Sequence, residues 1–117
     1  MKLKLLFALL IITTSNAQTQ IGQDIEGTNA DDQIGYKIAL SDDGTTVAFS
    51  AVSAKRTTNS VFHRGYVSVY KYLNNSWTKV GQDIIDTESG QFGLSISLSS
   101  SGSTIAISSP GIQSTFF

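Results

Sequence analysis

Six of the nine acidic residues gather in two places. Ser41-Asp42-Asp43-Gly44 sets two adjacent carboxylates before a glycine, and Asp31-Asp32 lies close to Asp24 and Glu26. Carboxylates in a glycine turn are raw material for a Ca²⁺ site, but that ion takes roughly six to eight oxygens from alternating loop positions. Asp42 and Asp43 are neighbours, so their stretch reads as a solvated turn, and Asp31-Asp32 reads as an exposed loop. His63 is the single histidine. It stands beside Arg64 with no carboxylate or serine designated to orient it, as proton transfer or nucleophile activation would require. The sequence contains no Gly-x-Ser-x-Gly, phosphate loop or paired-carboxylate motif. The expectation is therefore no catalytic residue, no cofactor-binding residue and no metal ligand. Tyr66, Tyr70, Tyr72 and Trp77 could present an aromatic surface to a sugar or protein, or could fill a core; the packing role is favoured. Residues 53–64 read as the longest loop and the best place for contacts, since loops on a rigid scaffold commonly carry recognition. Asn74-Asn75-Ser76 is formally a glycosylation sequon, relevant in a eukaryotic secretory pathway.

These residues must be positioned by strands. One hairpin pattern is written twice, over residues 35–50 and 93–108. In the first copy Tyr36, Ile38 and Leu40 alternate with Lys37, Ala39 and Ser41. The chain then turns at Asp43-Gly44 and resumes with Val47 and Phe49. In the second copy Leu94, Ile96, Leu98, Ile105 and Ile107 hold the apolar places, and Ser95, Ser97, Ser99, Ala106 and Ser108 hold the small ones. Period two is the signature of a strand. A serine-rich flexible linker is the rival reading, and the regular interleaving of branched apolar residues argues against it. Residues 19–25, 65–72 and 77–84 read as further strands, with a turn at Asn74-Asn75-Ser76. In 65–72, Tyr66, Tyr70 and Tyr72 share one face, and Val67 and Val69 the other.

The repeat extends beyond the hairpin. Ile21-Gly22-Gln23-Asp24-Ile25 returns as Val80-Gly81-Gln82-Asp83-Ile84 at an offset of 59, and Gly35, Leu40 and Gly44 return as Gly93, Leu98 and Gly102 at 58. A period near 60 with four short strands per unit points to a blade architecture. With Phe92-Gly93 and Ser109-Pro110-Gly111, and weaker counterparts at Ile34-Gly35 and Ser50-Ala51-Val52, residues 19–111 resemble the degenerate FG-GAP-type, integrin-alpha-like repeats of secreted and surface β-propellers. The resemblance implies an all-β fold of four-stranded antiparallel blades. The chain would hold about one and two-thirds of them, with unit boundaries near 25–84 and 85–111 and a non-repeat tail at 112–117. That is short of the usual ring of roughly four to eight blades, so the chain reads as a partial member of a longer repeat protein. Further blades or self-association would have to cover its open faces and edges. Integrin-type repeats carry Asp-x-Asp-x-Asp-Gly calcium loops; Ser41-Asp42-Asp43-Gly44 and Ser99-Ser100-Ser101-Gly102 depart from that pattern.

Composition sets the compartment. Met1-Lys2-Leu3-Lys4, the apolar run Leu5–Ile12 and small residues at Ser15 and Ala17 read as a secretory signal peptide over 1–17, cleaved before Gln18. The run is too short for a membrane anchor, which needs about 20 residues. Without Lys2 and Lys4 the chain has six basic and nine acidic residues, and no basic patch interleaved with aromatics points to nucleic acid. There is no cysteine, hence no disulfide framework or thiolate site. The expectation is a secreted or cell-surface, non-enzymatic module for adhesion or extracellular binding, its partner an extracellular protein or glycan. Two alternatives are a fragment of a polysaccharide-acting propeller enzyme and a small outer-membrane β-barrel.

Overall fold

The computed structural model describes residues 17–58, 61–86 and 91–110, of which 56–58 and 61–63 by their backbone alone. The signal peptide expected over 1–17, up to residue 16, and the expected tail at 112–117 lie outside the described residues. The described chain is all-β. A four-stranded antiparallel sheet runs in sequence order, β1 (Ile34–Leu40), β2 (Thr46–Thr58), β3 (Val61–Leu73) and β4 (Ser76–Lys79), and a two-stranded sheet pairs β5 (Ile96–Leu98) with β6 (Ile105–Ile107).

The register divides the larger sheet into two chemically different faces. Val47 lies opposite Tyr70 and Leu40, Phe49 opposite Ile38 and Ser68, and Ala51 opposite Tyr66. These residues make the large-residue face. Ala48 lies opposite Ala39 and Val69, Ser50 opposite Val67, and Thr46 opposite Lys71. On β1 and β2 the second face is thus built almost wholly from small residues. The smaller sheet lies over it. Gly93 approaches Ser50 and Val67, and Gly102 approaches Thr46, so closely that a Cβ on either glycine would lie within 2.7 Å of a side-chain atom. Ala48, Ser50 and Val67 are consequently sealed from solvent.

The two hairpins repeat each other bond for bond. Ser41 N–H donates to the Thr46 carbonyl at 2.9 Å, and Ser99 N–H to that of Thr104 at 2.9 Å. Thr46 N–H donates to Ser41 Oγ at 3.0 Å, and Thr104 N–H to Ser99 Oγ at 3.1 Å. Lys37 N–H donates to Ser50 Oγ at 3.2 Å, and Ser95 N–H to Ser108 Oγ at 2.8 Å. Four of the small residues therefore have a backbone partner as well as their place in the strand. The hydroxyls at 41, 50, 99 and 108 satisfy amides that the tight turns and bulged strands leave unpaired.

Three expectations are corrected. Residues 19–25 are not a strand. They follow an irregular path, held by Gln23, whose Nε2 donates to the Trp77 carbonyl at 2.8 Å and whose Oε1 accepts from Trp77 N–H at 3.0 Å. The strand expected over 77–84 ends at Lys79, and Ile84 then makes an isolated bridge to Val67. The loop expected over 53–64 is strand as far as Thr58 and again from Val61. After an irregularity between Ala51 and Lys55, β2 and β3 stay paired from Lys55–Arg64 out to Thr58–Val61. β-Branched Thr57, Thr58 and Val61 suit extended backbone, and continuous pairing satisfies amides that a loop would leave to water.

Candidate binding surface

The paired arm beyond the irregularity is the most distinctive surface of the molecule. β1 leaves the sheet at Ile34, opposite Ala51, and β4 pairs no farther along β3 than Tyr70. Beyond these points residues 55–58 and 61–64 pair with each other as a two-stranded ribbon, whose register places Lys55 opposite Arg64 and Arg56 opposite His63, with Phe92 N–H donating to the Arg64 carbonyl at its base at 3.2 Å. Lys55 and Arg64 are both exposed. Like charges directly opposite on a strand pair destabilise it. The ribbon carries Lys55, Arg56 and Arg64, three of the six basic residues that follow position 17.

At its base the ribbon borders an open cleft of about 580 Å³ lined by Asn29, Asp31, Asp32, Ser53 and Lys55. The two aspartates differ. Asp31 is exposed, as expected, whereas Asp32 is buried at 3% exposure, against the expectation of an exposed loop pair. Asn29 Nδ2 donates to Asp32 Oδ2 at 3.4 Å, and Ser53 N–H donates to the Asp32 carbonyl at 3.3 Å. Ser53 Oγ donates to Gln33 Oε1 at 2.6 Å. Asp32 thus ties the 29–33 turn to β2 and gives the cleft a fixed wall.

The other acidic group is a turn device. Asp43 Oδ1 accepts from Ser41 Oγ at 2.7 Å, Thr45 N–H at 2.9 Å and Thr45 Oγ1 at 2.9 Å. The Ser41 bond, followed by those from Thr45, holds its carboxyl below the usual range. Asp42 points to solvent. Asp24 accepts from Gln20 Nε2 at 2.8 Å. Among the described residues, no three of His, Cys, Asp and Glu gather as a metal cage.

The aromatics divide between core and cover. Tyr66 is buried with Ala51 and Ala54, flanked by Ile34 and Ile85. Tyr70 stacks on Phe49 with centroids 5.4 Å apart, and Tyr72 meets Trp77 at 5.1 Å. Trp77 Nε1 donates to the Ile21 carbonyl at 3.0 Å. These rings pack, as expected, rather than form an open platform. What sequence reasoning missed is the ribbon. Its signal was the β-branched run 57–58 and 61 flanked by paired basic residues, outweighed by the polar Asn59-Ser60 between them.

Comparison with protein-family models, curated proteins and solved structures finds no match.

Proposed function

We propose that the chain is a secreted or cell-surface, non-enzymatic repeat module of the FG-GAP-type propeller class, and that it binds an acidic extracellular polysaccharide through the 55–64 ribbon. In this reading β1–β4 form one blade and β5–β6 open the next. The four-stranded sheet in sequence order and the bond-for-bond repetition of its first hairpin support it. The leader at 1–17 supplies the route out of the cell.

The observation that carries the binding role is the in-register pair Lys55–Arg64 on a two-stranded ribbon. Like charges in register weaken the ribbon; an anion placed across them relieves the repulsion and gains charge-assisted hydrogen bonds. The test is retention of the chain, collected from culture medium, on an immobilised sulfated or carboxylated polysaccharide. Wild type should bind and elute with rising salt. Lys55→Glu/Arg64→Glu should not bind, while keeping its melting temperature. Equal retention of both proteins, or binding indifferent to salt, would sink the proposal. N-terminal sequencing of the same material should begin at Gln18.

A further inference from the structure

The two sheets are stacked so that the small-residue face of the first hairpin receives the second. In that second hairpin Leu94, Ile96, Leu98, Ile105 and Ile107 are half-buried, while Ser95, Ser97, Ala106 and Ser108 stand exposed. The first hairpin has the complementary surface open. Tyr36, Ile38 and Leu40 are 51%, 66% and 58% exposed. Among the described residues the stack therefore presents a large apolar face on one side and a small-residue face on the other. Those are the two kinds of surface already in contact between its hairpins.

The glycines show the same asymmetry. Gly93 and Gly102 are crowded by Ser50 and Thr46, whereas a Cβ at Gly44 would meet nothing within 4 Å and one at Gly35 only Ile38 Cδ1 at 3.9 Å. Gly35 and Gly44 occupy the same places in the first hairpin that Gly93 and Gly102 occupy in the second. Their equivalent receptors, Ser108 and Thr104, are exposed. The stacked turns are also joined: Asp42 N–H donates to the Ser100 carbonyl at 3.0 Å.

We infer that a second copy of this chain docks head to tail, its Tyr36-Ile38-Leu40 face covering the Ser95-Ser97-Ala106-Ser108 face of the first. Gly35 and Gly44 of the incoming copy then lie over Ser108 and Thr104, and Ser100 N–H of the receiving copy donates to the incoming Asp42 carbonyl. The contact continues an interface that the chain already makes within itself. It is heterologous, so copies add in one direction and give a ring where the rotation closes and a filament where it does not.

The test uses the full chain collected after secretion. Wild type should sediment as concentration-dependent species larger than a monomer. Leu40→Glu blocks the large face and Ala106→Glu the small one. Each should weaken association by roughly a hundredfold or more, because docking strips an ionised carboxylate of water. Mixing the two should restore a 1:1 dimer that grows no further, since each variant keeps the face the other lacks. Both substituted positions are exposed, so each variant should keep the wild-type circular dichroism spectrum. Ile38→Lys with Ser97→Lys gives a second pair should either misfold. Three results would each overturn the inference: a wild-type monomer throughout the micromolar range, loss of association from Leu40→Glu but not Ala106→Glu, or a mixture that stays monomeric.

Discussion

Gly44 and Gly102 allow a controlled measurement of the packing between the two hairpins. Their φ angles are +71° and +69°, so alanine brings the same backbone strain to both, roughly 1–2 kcal/mol in the left-handed region. Their surroundings differ. The new methyl at 44 enters open space. At 102 it would lie 2.6 Å from both Cβ and Oγ1 of Thr46, where carbon atoms prefer about 3.5–4.0 Å. Thr46 cannot retreat easily. It is 5% exposed, its N–H is held by Ser41 Oγ at 3.0 Å, and its carbonyl accepts from Ser41 N–H at 2.9 Å. Overpacking of this kind costs about 1–3 kcal/mol, so Gly102→Ala should lose that much more than Gly44→Ala. For a domain of this size the difference is roughly 4–8 °C of melting temperature per kcal/mol. Both variants are best compared by thermal and urea unfolding in a Leu40→Glu background, which keeps the first hairpin's face unoccupied. Equal losses at the two glycines would refute the stacking of β5–β6 on β2.

The remaining predictions concern the ties around this stack. Because the folded state depresses the Asp43 pKa, its contribution is present above the unfolded carboxylate pKa and is lost as pH falls through the folded value. Asp43→Ser should flatten that acid limb of the unfolding curve yet keep the turn, since Ser101 fills the equivalent place. Gln23→Ala removes the side-chain bonds from residue 23 to Ser76 and Trp77, leaving only the Trp77 Nε1 bond to the Ile21 carbonyl among those described above; emission from the single tryptophan, Trp77, should shift to the red and proteolysis near residue 23 should quicken. Millimolar Ca²⁺ should leave the melting temperature unchanged, because Asp43 Oδ1 already accepts three hydrogen bonds. A rise reversed by chelator would reveal a site built elsewhere.

The sequence was most legible where one local rule governed. Alternation with a glycine turn located both hairpins, and the face assignment of Tyr66, Tyr70 and Tyr72 against Val67 and Val69 agrees with the β3 register. Asn74 and Asn75 take φ angles of 50° and 63°, as a two-residue hairpin turn demands. Legibility failed where partners decided the outcome. Residues 19–25 alternate well enough for a strand, but Gln23 bonds to β4 through its side chain, so the backbone never enters a ladder. Residues 53–64 are polar enough for a loop, yet each strand supplies the other's hydrogen bonds. Asp32 looks like its neighbour Asp31 until the turn at 29–33 folds it under β2. None of these pairings leaves a periodic trace in its own segment.

The direction in which the molecule is open follows from how its sheet edges are managed. Unpaired edges ordinarily invite strand addition, and natural sheets blunt them with short strands, bulges and lysines. β1, one edge of the larger sheet, is 7 residues long. Its pairing is irregular between Ile34 and Ile38, and it carries an exposed Lys37 whose ammonium lies 5.6 Å from the Tyr36 ring. β4, the other edge, is 4 residues long and is occupied by Gln23, which binds Trp77 and also accepts from Ser76 Oγ at 3.0 Å. Both edges are therefore poor templates for another strand. Among the described residues no comparable device protects the face of Ile38 and Leu40, where burying a full side chain is worth roughly 1.5–3 kcal/mol. Association driven by the hydrophobic effect should accordingly proceed through faces rather than edges. A sheet face made of large residues is best covered by one made of small residues, because the backbones can then approach without overpacking. The exposed surface that offers this is the serine and alanine face of β5 and β6, which is why a second copy fits the open end of the stack better than a strand added to its side.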